Sequence, residues 1–123
     1  MANILMIEDD LNFIRLLEKV LGARGHTVLH AETALTGLQM AENKEIDLVL
    51  LDMDLPDLDG KVVATTLRAR TGLEKVPIIA VTAQTDAITR RLVLAFGCNG
   101  YIPKPIDTRT FPNQIEAFLA QTD

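Results

Sequence analysis

The sequence predicts an α/β domain: a single doubly wound, five-stranded parallel sheet built from a (βα)5 chain. Three observations predict it. Short apolar runs without polar alternation recur along the chain, and such runs suit strands covered on both faces. A stretch with helical spacing follows each run. The connections are short, which favours parallel strands joined by right-handed helical crossovers. With 123 residues, the chain suits one domain with one core.

The elements follow in order. "ILMI" (4–7) reads as the first buried strand. Phe13, Leu16, Leu17, Val20 and Leu21 then recur at helical spacing, and "GARG" stops that helix. "TVLHA" (27–31) is a weaker strand, and "TALTGLQMAEN" (33–43) a short helix. "DLVLLD" (47–52) is the clearest buried strand. From about Gly60 to Arg70, Val63 and Leu67 mark a third helix. "VPIIAVTA" (76–83) is a fourth buried strand, and "DAITRRLVLAFG" (86–97) a helix closing on Gly97. "GYIP" (100–103) is a fifth, short strand. The last helix runs through Phe111, Ile115, Phe118 and Leu119 to about residue 120. Pro112 donates no amide hydrogen bond, so this helix is expected to start late or with an irregular first turn. Only "QTD" follows, which leaves no room for a second domain in these residues.

Composition narrows the function. Hydrophobic residues make up 48% and charged residues 24%, with a formal net charge of −5. An acidic domain is a poor partner for nucleic acid, which calls for clustered Lys and Arg. One cysteine, Cys98, permits no internal disulfide and reads as a packing residue. "MANILMIEDD" turns acidic too soon for a secretory signal, and no apolar run approaches the roughly 20 residues of a membrane span. The expectation is a soluble, cytoplasmic protein with no membrane and no nucleic-acid partner.

In doubly wound sheets, ligands bind beyond the carboxyl ends of the strands. Here the first strand ends on Glu8-Asp9-Asp10, the third on Asp52, the fourth on Thr82-Ala83 and the fifth near Lys104-Pro105. Within "DLVLLDMDLPDLDG", Asp52, Asp54, Asp57 and Asp59 fall in eight residues. Two carboxylates about 4 Å apart repel by roughly 4 kcal/mol at an effective dielectric of about 20. A cluster of Glu8, Asp9 and Asp52 therefore calls for a cation or a proton. Carboxylates and water suit a hard divalent ion such as Mg²⁺. A carboxylate beside such an ion can attack a phosphoryl group and form an acyl phosphate. Lys104 and Thr82 would then supply a positive charge and a hydroxyl donor around the phosphoryl oxygens.

Together, "IEDD", "LVLLDMDLPDLDG", "AVTA" and "GYIPKP" closely resemble the receiver domain of two-component response regulators. The resemblance covers nearly the whole chain, and the free-standing receivers are closest in plan. It implies a flavodoxin-like sheet of strand order 2-1-3-4-5, with residues 1–123 as a receiver and no effector domain. It also implies that Asp52 is the phosphorylated residue. Mg²⁺, for which Mn²⁺ can substitute, would be held by Asp9, Asp52, the backbone carbonyl of Asp54 and, through water, Glu8. Lys104, Thr82 and the Ala83 amide would contact the phosphoryl group, and Tyr101 would follow Thr82 inward. The Lys104–Pro105 peptide bond would be cis.

The implied partners are a sensor histidine kinase or histidine phosphotransfer protein and a downstream protein target. Leu92, Val93 and Leu94 cannot all face one core, so Arg90 and Leu94 are expected outward beside Tyr101 and Pro103 as an output face. A phosphorylation-dependent dimer is compatible with that face. Ile14, outside the expected core set of the first helix, is a candidate contact for the donor. The activity implied is signalling, with catalysis limited to the domain's own phosphorylation and dephosphorylation.

Other readings remain open on sequence grounds. Asp10 reads as a helix start only, and Asp57 and Asp59 as loop and turn residues. His26 and His30 read as surface or edge-strand residues. An unphosphorylated pseudo-receiver would be a pure interaction module. A haloacid dehalogenase-type phosphatase also uses an Asp-x-Asp pair, but normally after its first strand. A calcium loop centred on Gly60 fails, because it would begin at Leu55 and end at Thr66.

Overall fold

The computed structural model describes residues 2–43, 45–70, 72–84 and 86–121. Five strands and five helices alternate: β1 (Asn3–Ile7), α1 (Leu11–Gly22), β2 (Thr27–Ala31), α2 (Ala34–Asn43), β3 (Leu48–Asp52), α3 (Gly60–Ala69), β4 (Ile78–Thr82), α4 (Ala87–Ala95), β5 (Gly100–Pro103) and α5 (Phe111–Ala120). The bounds lie close to those read from the apolar runs. The "QTD" terminus falls partly on residues 122–123, which lie outside the described residues.

All strand pairs are parallel, in the order β2-β1-β3-β4-β5. The strands are apolar on both faces because each face meets helices. Leu5, Ile7, Val49, Leu51, Ile78 and Ala80 point to one side, where Ala34, Leu38, Val63, Leu67 and Val93 of α2, α3 and α4 cover them. Ile4, Met6, Leu48, Leu50, Ile79 and Val81 point to the other, under Ile14, Leu17, Leu21, Phe111 and Ile115 of α1 and α5. The chain reverses its direction of winding between β1 and β3, and there the carboxyl ends of neighbouring strands open a crevice.

Helix boundaries have local causes. The Asp10 carboxylate accepts from the N–H groups of Asn12 and Phe13, Asp59 from Lys61, and Asp86 from Thr89. Asp57 accepts from Ala34 and Leu35 at the start of α2, and these bonds hold its carboxyl below the usual aspartate value. Asp10 thus starts its helix, as expected, whereas Asp57 and Asp59, read as loop and turn residues, also cap α2 and α3. Gly97 ends α4 with φ +110°, a conformation that favours glycine. Pro112 falls in the opening turn of α5, where its missing N–H removes no helical bond. Thr110 offers that turn no side-chain cap.

Two expectations need correction. Ile14 is not a surface contact. It is 2% exposed, on the buried ridge Ile14-Leu17-Leu21, whereas Leu16 is 38% exposed. Helix α1 carries two adjacent apolar stripes, and its seating on the sheet rotates the Ile14 stripe inward. His26 is not a surface residue either. Its side chain is 6% exposed; Nδ1 accepts from the Ala2 N–H at 3.1 Å, and Nε2 lies 3.0 Å from Glu116. His30 is exposed at the edge of the sheet, and Cys98 is buried, both as expected.

Candidate functional site

The end of β1 turns back on itself. The Glu8 carboxylate accepts from the N–H groups of Asp9 and Asp10, each at 3.1 Å. This fold-back tucks Glu8 inside at 2% exposure and leaves Asp9 exposed. One strand over, Asp52 closes β3 at 4% exposure and accepts from the Asp54 N–H at 3.0 Å. Ligand oxygens of Glu8, Asp9 and Asp52 all lie within 4.8 Å of one another. Across roughly 5 Å two such charges repel by about 3 kcal/mol at an effective dielectric of about 20. The set is therefore built for a cation.

Lys104 supplies one. Its backbone N–H donates to the Thr82 carbonyl at 2.8 Å, which fixes the end of β5 against β4. Its Nζ lies 2.9 Å from Glu8 Oε1 and 3.7 Å from Asp52 Oδ1. Lys104 thus bridges both carboxylates and stands nearer to Glu8. The Lys104–Pro105 peptide bond is cis.

Burial pushes the Glu8 carboxyl up to about 7, against the pull of the Lys104 hydrogen bond, and Asp52 adds to the upward push. For Lys104 burial acts downward, but the Glu8 hydrogen bond and the Asp52 charge hold the ammonium above its ordinary value. Among the described residues, one cation against three carboxylates leaves the crevice short of positive charge. Hard oxygen donors in this arrangement fit Mg²⁺.

Thr82 is buried at the end of β4, and its hydroxyl accepts from the Gln84 N–H at 3.1 Å. That bond leaves its proton for another acceptor. Ala83 is exposed and lines a groove with Phe13, Lys104 and Pro105. Asp54 lines a cleft with Thr82, Gln84 and Lys61. The Tyr101 hydroxyl donates to the Gln84 carbonyl, so the ring sits on the β4–α4 loop and makes no bond to Thr82. Arg90 lies 5.6 Å from the centre of that ring, and Arg90, Leu94, Tyr101 and Pro103 line one apolar groove. Val93 is buried, while Leu92 and Leu94 are exposed.

The structure thus brings Glu8, Asp9, Asp52 and Lys104 into one cluster and gathers the α4–β5 face. Residue-type reasoning missed Phe13, counted as core, whose ring stands 4.7 Å from Lys104 Nζ. Only its place three residues after Asp10 signalled it.

The family model described as response regulator receiver domain matches residues 4–116. Among curated proteins, the response regulator ArlR of Staphylococcus epidermidis is 34% identical over 97% of this chain and 53% of its own length. The transcriptional regulatory protein AfsQ1 of Streptomyces coelicolor is 36% identical over 97% of this chain and 52% of its own. The chain therefore spans about half the length of these two relatives. The polar-differentiation response regulator DivK of Brucella ovis is 29% identical over 95% of each chain. Among solved structures, a CheY-like receiver domain from Methanospirillum hungatei superposes with a TM-score of 0.90 at 28% identity, covering 99% of this chain and 96% of its own. The receiver domain of a sensor histidine kinase from Pseudomonas aeruginosa, solved with a magnesium ion coordinated in its active-site cleft, gives 0.88 at 28% identity, covering 97% and 98%.

Proposed function

The chain belongs to the response regulator receiver domain family, and from that premise we propose that Asp52 is the residue it phosphorylates. Receiver domains are the signalling switches of two-component systems; they bind Mg²⁺ at an acidic pocket and interact with sensor histidine kinases and downstream targets. The observation that carries the assignment is the Lys104 ammonium held between Glu8 and Asp52, beside the three-carboxylate cluster.

The chemistry follows from these groups. An Asp52 carboxylate oxygen attacks the phosphorus of a phosphohistidine. The P–N bond breaks, and the imidazole leaves with the electron pair and picks up a proton. The product is an acyl phosphate on Asp52. The Lys104 ammonium balances charge on the phosphoryl oxygens, and the Thr82 hydroxyl and Ala83 N–H donate to them. Glu8, Asp9, Asp52 and the Asp54 carbonyl would hold Mg²⁺, directly or through water, and the ion supplies further neutralising charge when bound; the magnesium in the Pseudomonas aeruginosa neighbour supports this reading. Attack of water on phosphorus later releases inorganic phosphate and restores the carboxylate.

Turning of Thr82 and Lys104 toward the phosphoryl group draws Tyr101 off the Gln84 carbonyl and repacks the groove of Arg90, Leu94 and Pro103. That groove then serves a separate target protein. The donor is a histidine kinase or phosphotransfer protein, and the setting is the cytoplasm; among the described residues no helix is long and apolar enough to cross a membrane. A dehalogenase-type phosphatase is disfavoured, since the Asp52-Met53-Asp54 pair follows β3 rather than β1.

The test is intact mass after incubation with acetyl phosphate. Expected is a Mg²⁺-dependent gain of one phosphoryl group in the wild type and none in Asp52→Ala. A phosphorylated Asp52→Ala protein would refute the assignment. Failure of the wild type to bind Mg²⁺ and beryllofluoride would favour the pseudo-receiver.

A further inference from the structure

We propose that Phe13 is a positioning residue for the phosphoryl-binding lysine: its ring holds the Lys104 ammonium over the acceptor without neutralising it. The inference rests on the reading of Asp52 as acceptor and deepens it. Three neighbours surround Nζ. Glu8 Oε1 is within hydrogen-bond distance at 2.9 Å, Asp52 Oδ1 stands at 3.7 Å, and the centre of the Phe13 ring at 4.7 Å. The last distance lies well inside the range of a cation–π contact.

The placement of the ring is built in. Phe13 is the third residue of α1, and its N–H is tied to the Asp10 carboxylate at 3.3 Å. The turn that carries the acidic residues therefore also aims the aromatic ring. Phe13 is partly buried against the α1–α5 core and lines one groove with Lys104, Pro105 and Ile106. Its ring is thus an uncharged neighbour of the ammonium, beside the two carboxylates.

An aromatic wall does what a carboxylate there could not. A third anion would compete with the phosphoryl group for Nζ. A ring face attracts the cation, carries no net charge, and tolerates displacement, because the attraction persists out to about 6 Å. Lysine has a flexible four-carbon stem, and ordering such a side chain on binding costs about 0.5–1.5 kcal/mol. The ring meets that cost before the phosphoryl group arrives. Its removal should therefore weaken phosphoryl binding by about threefold to tenfold.

The experiment measures beryllofluoride affinity in excess Mg²⁺, which avoids any contact of Phe13 with a protein donor. Phe13→Leu keeps an apolar side chain and removes the ring; Phe13→Tyr keeps the ring. Expected is binding about threefold to tenfold weaker in Phe13→Leu and restored in Phe13→Tyr. In a Lys104→Ala background, Phe13→Leu should have no further effect. Ring-current shifts of the Lys104 ε-CH₂ protons should appear in the wild type and in Phe13→Tyr and vanish in Phe13→Leu. Equal affinity of Phe13→Leu and wild type, an equal loss in Phe13→Tyr, or an undiminished loss without Lys104 would each overturn the proposal. A wild type that binds no beryllofluoride would remove the acceptor reading and this proposal with it, a result distinct from a wild type that binds while Phe13→Leu matches it.

Discussion

The two edges of the sheet spend their polar groups in opposite ways. At the carboxyl edge, Glu8, Asp9 and Asp52 crowd together, and among the described residues a single ammonium reaches them. At the amino edge, side chains hold the strand entries, although the buried Arg70 Nε makes no hydrogen bond. Arg68 Nη1 donates to the carbonyls of Leu73, Glu74 and Val76, and its Nη2 to the Gly97 carbonyl and Asn99 Oδ1. Asn99 Oδ1 also takes the Ile78 N–H, Asp47 takes the Asn3 N–H, and His26 takes the Ala2 N–H. Segments entering the strands are thus pinned by side chains. The difference teaches where to look for function in this fold: one edge fastens the chain, and the other keeps unmet charge for a ligand.

The largest stability effect is expected at the fastened edge. Arg68→Ala removes a guanidinium that links α3, the loop before β4 and the loop before β5. Hydrogen bonds from a charged donor contribute about 1.5–3 kcal/mol each, and here they share one side chain and are not additive, so a loss of roughly 2–4 kcal/mol is expected. Urea unfolding would read it as a lower midpoint. Phosphorylation by acetyl phosphate, measured on the folded fraction, should stay near wild type. A variant that remained fully stable would break the contrast between the edges.

A smaller loss is expected from His26→Ala. The change leaves the Ala2 N–H without its acceptor and Glu116 without one of its two partners, since Arg24 still reaches Glu116 at 2.7 Å. About 1–2 kcal/mol is the expected cost, read by thermal unfolding.

The contrast also explains what the sequence made legible. The elements were readable because strands buried on both faces are apolar throughout and helices keep their own period. The carboxyl edge was readable because the fold brings strand ends together, so residues far apart in the chain could be grouped by position alone. The fastened edge was not. His26 and Glu116 are 90 positions apart, and Arg68 and Asn99 are 31 apart. Such pairs leave no local pattern, and an isolated His or Arg reads as surface. Ile14 failed for another reason: α1 offers two apolar stripes, and only docking on the sheet decides which is buried. Phe13 packs against the core as its spacing implied, but its contact with a lysine some ninety residues away left no local sign.

The smallest effect sharpens the contrast by pH. Glu8 has a folded pKa raised from 4.5 to about 7, mainly by burial. A raised carboxyl binds more protons folded than unfolded, so its contribution is fully present below pH 4.5 and is lost as pH rises through about 7. The carboxyls of Asp57, Asp86, Asp107 and Glu116 are held below their ordinary values, chiefly by hydrogen bonds. Their contributions are present above those values and fall away only in more acid solution. The interval between about pH 5 and 8 therefore isolates the Glu8 term in a comparison of wild type with Glu8→Gln. In EDTA, wild type should lose stability relative to Glu8→Gln as pH rises across that interval, by a few degrees of melting temperature at most. Excess Mg²⁺ should reverse the trend, because a cation binds the deprotonated cluster more tightly as pH rises. A wild-type curve parallel to that of Glu8→Gln in EDTA would mean that the carboxylate is already neutralised by Lys104, and that the carboxyl edge is better balanced than its geometry implies.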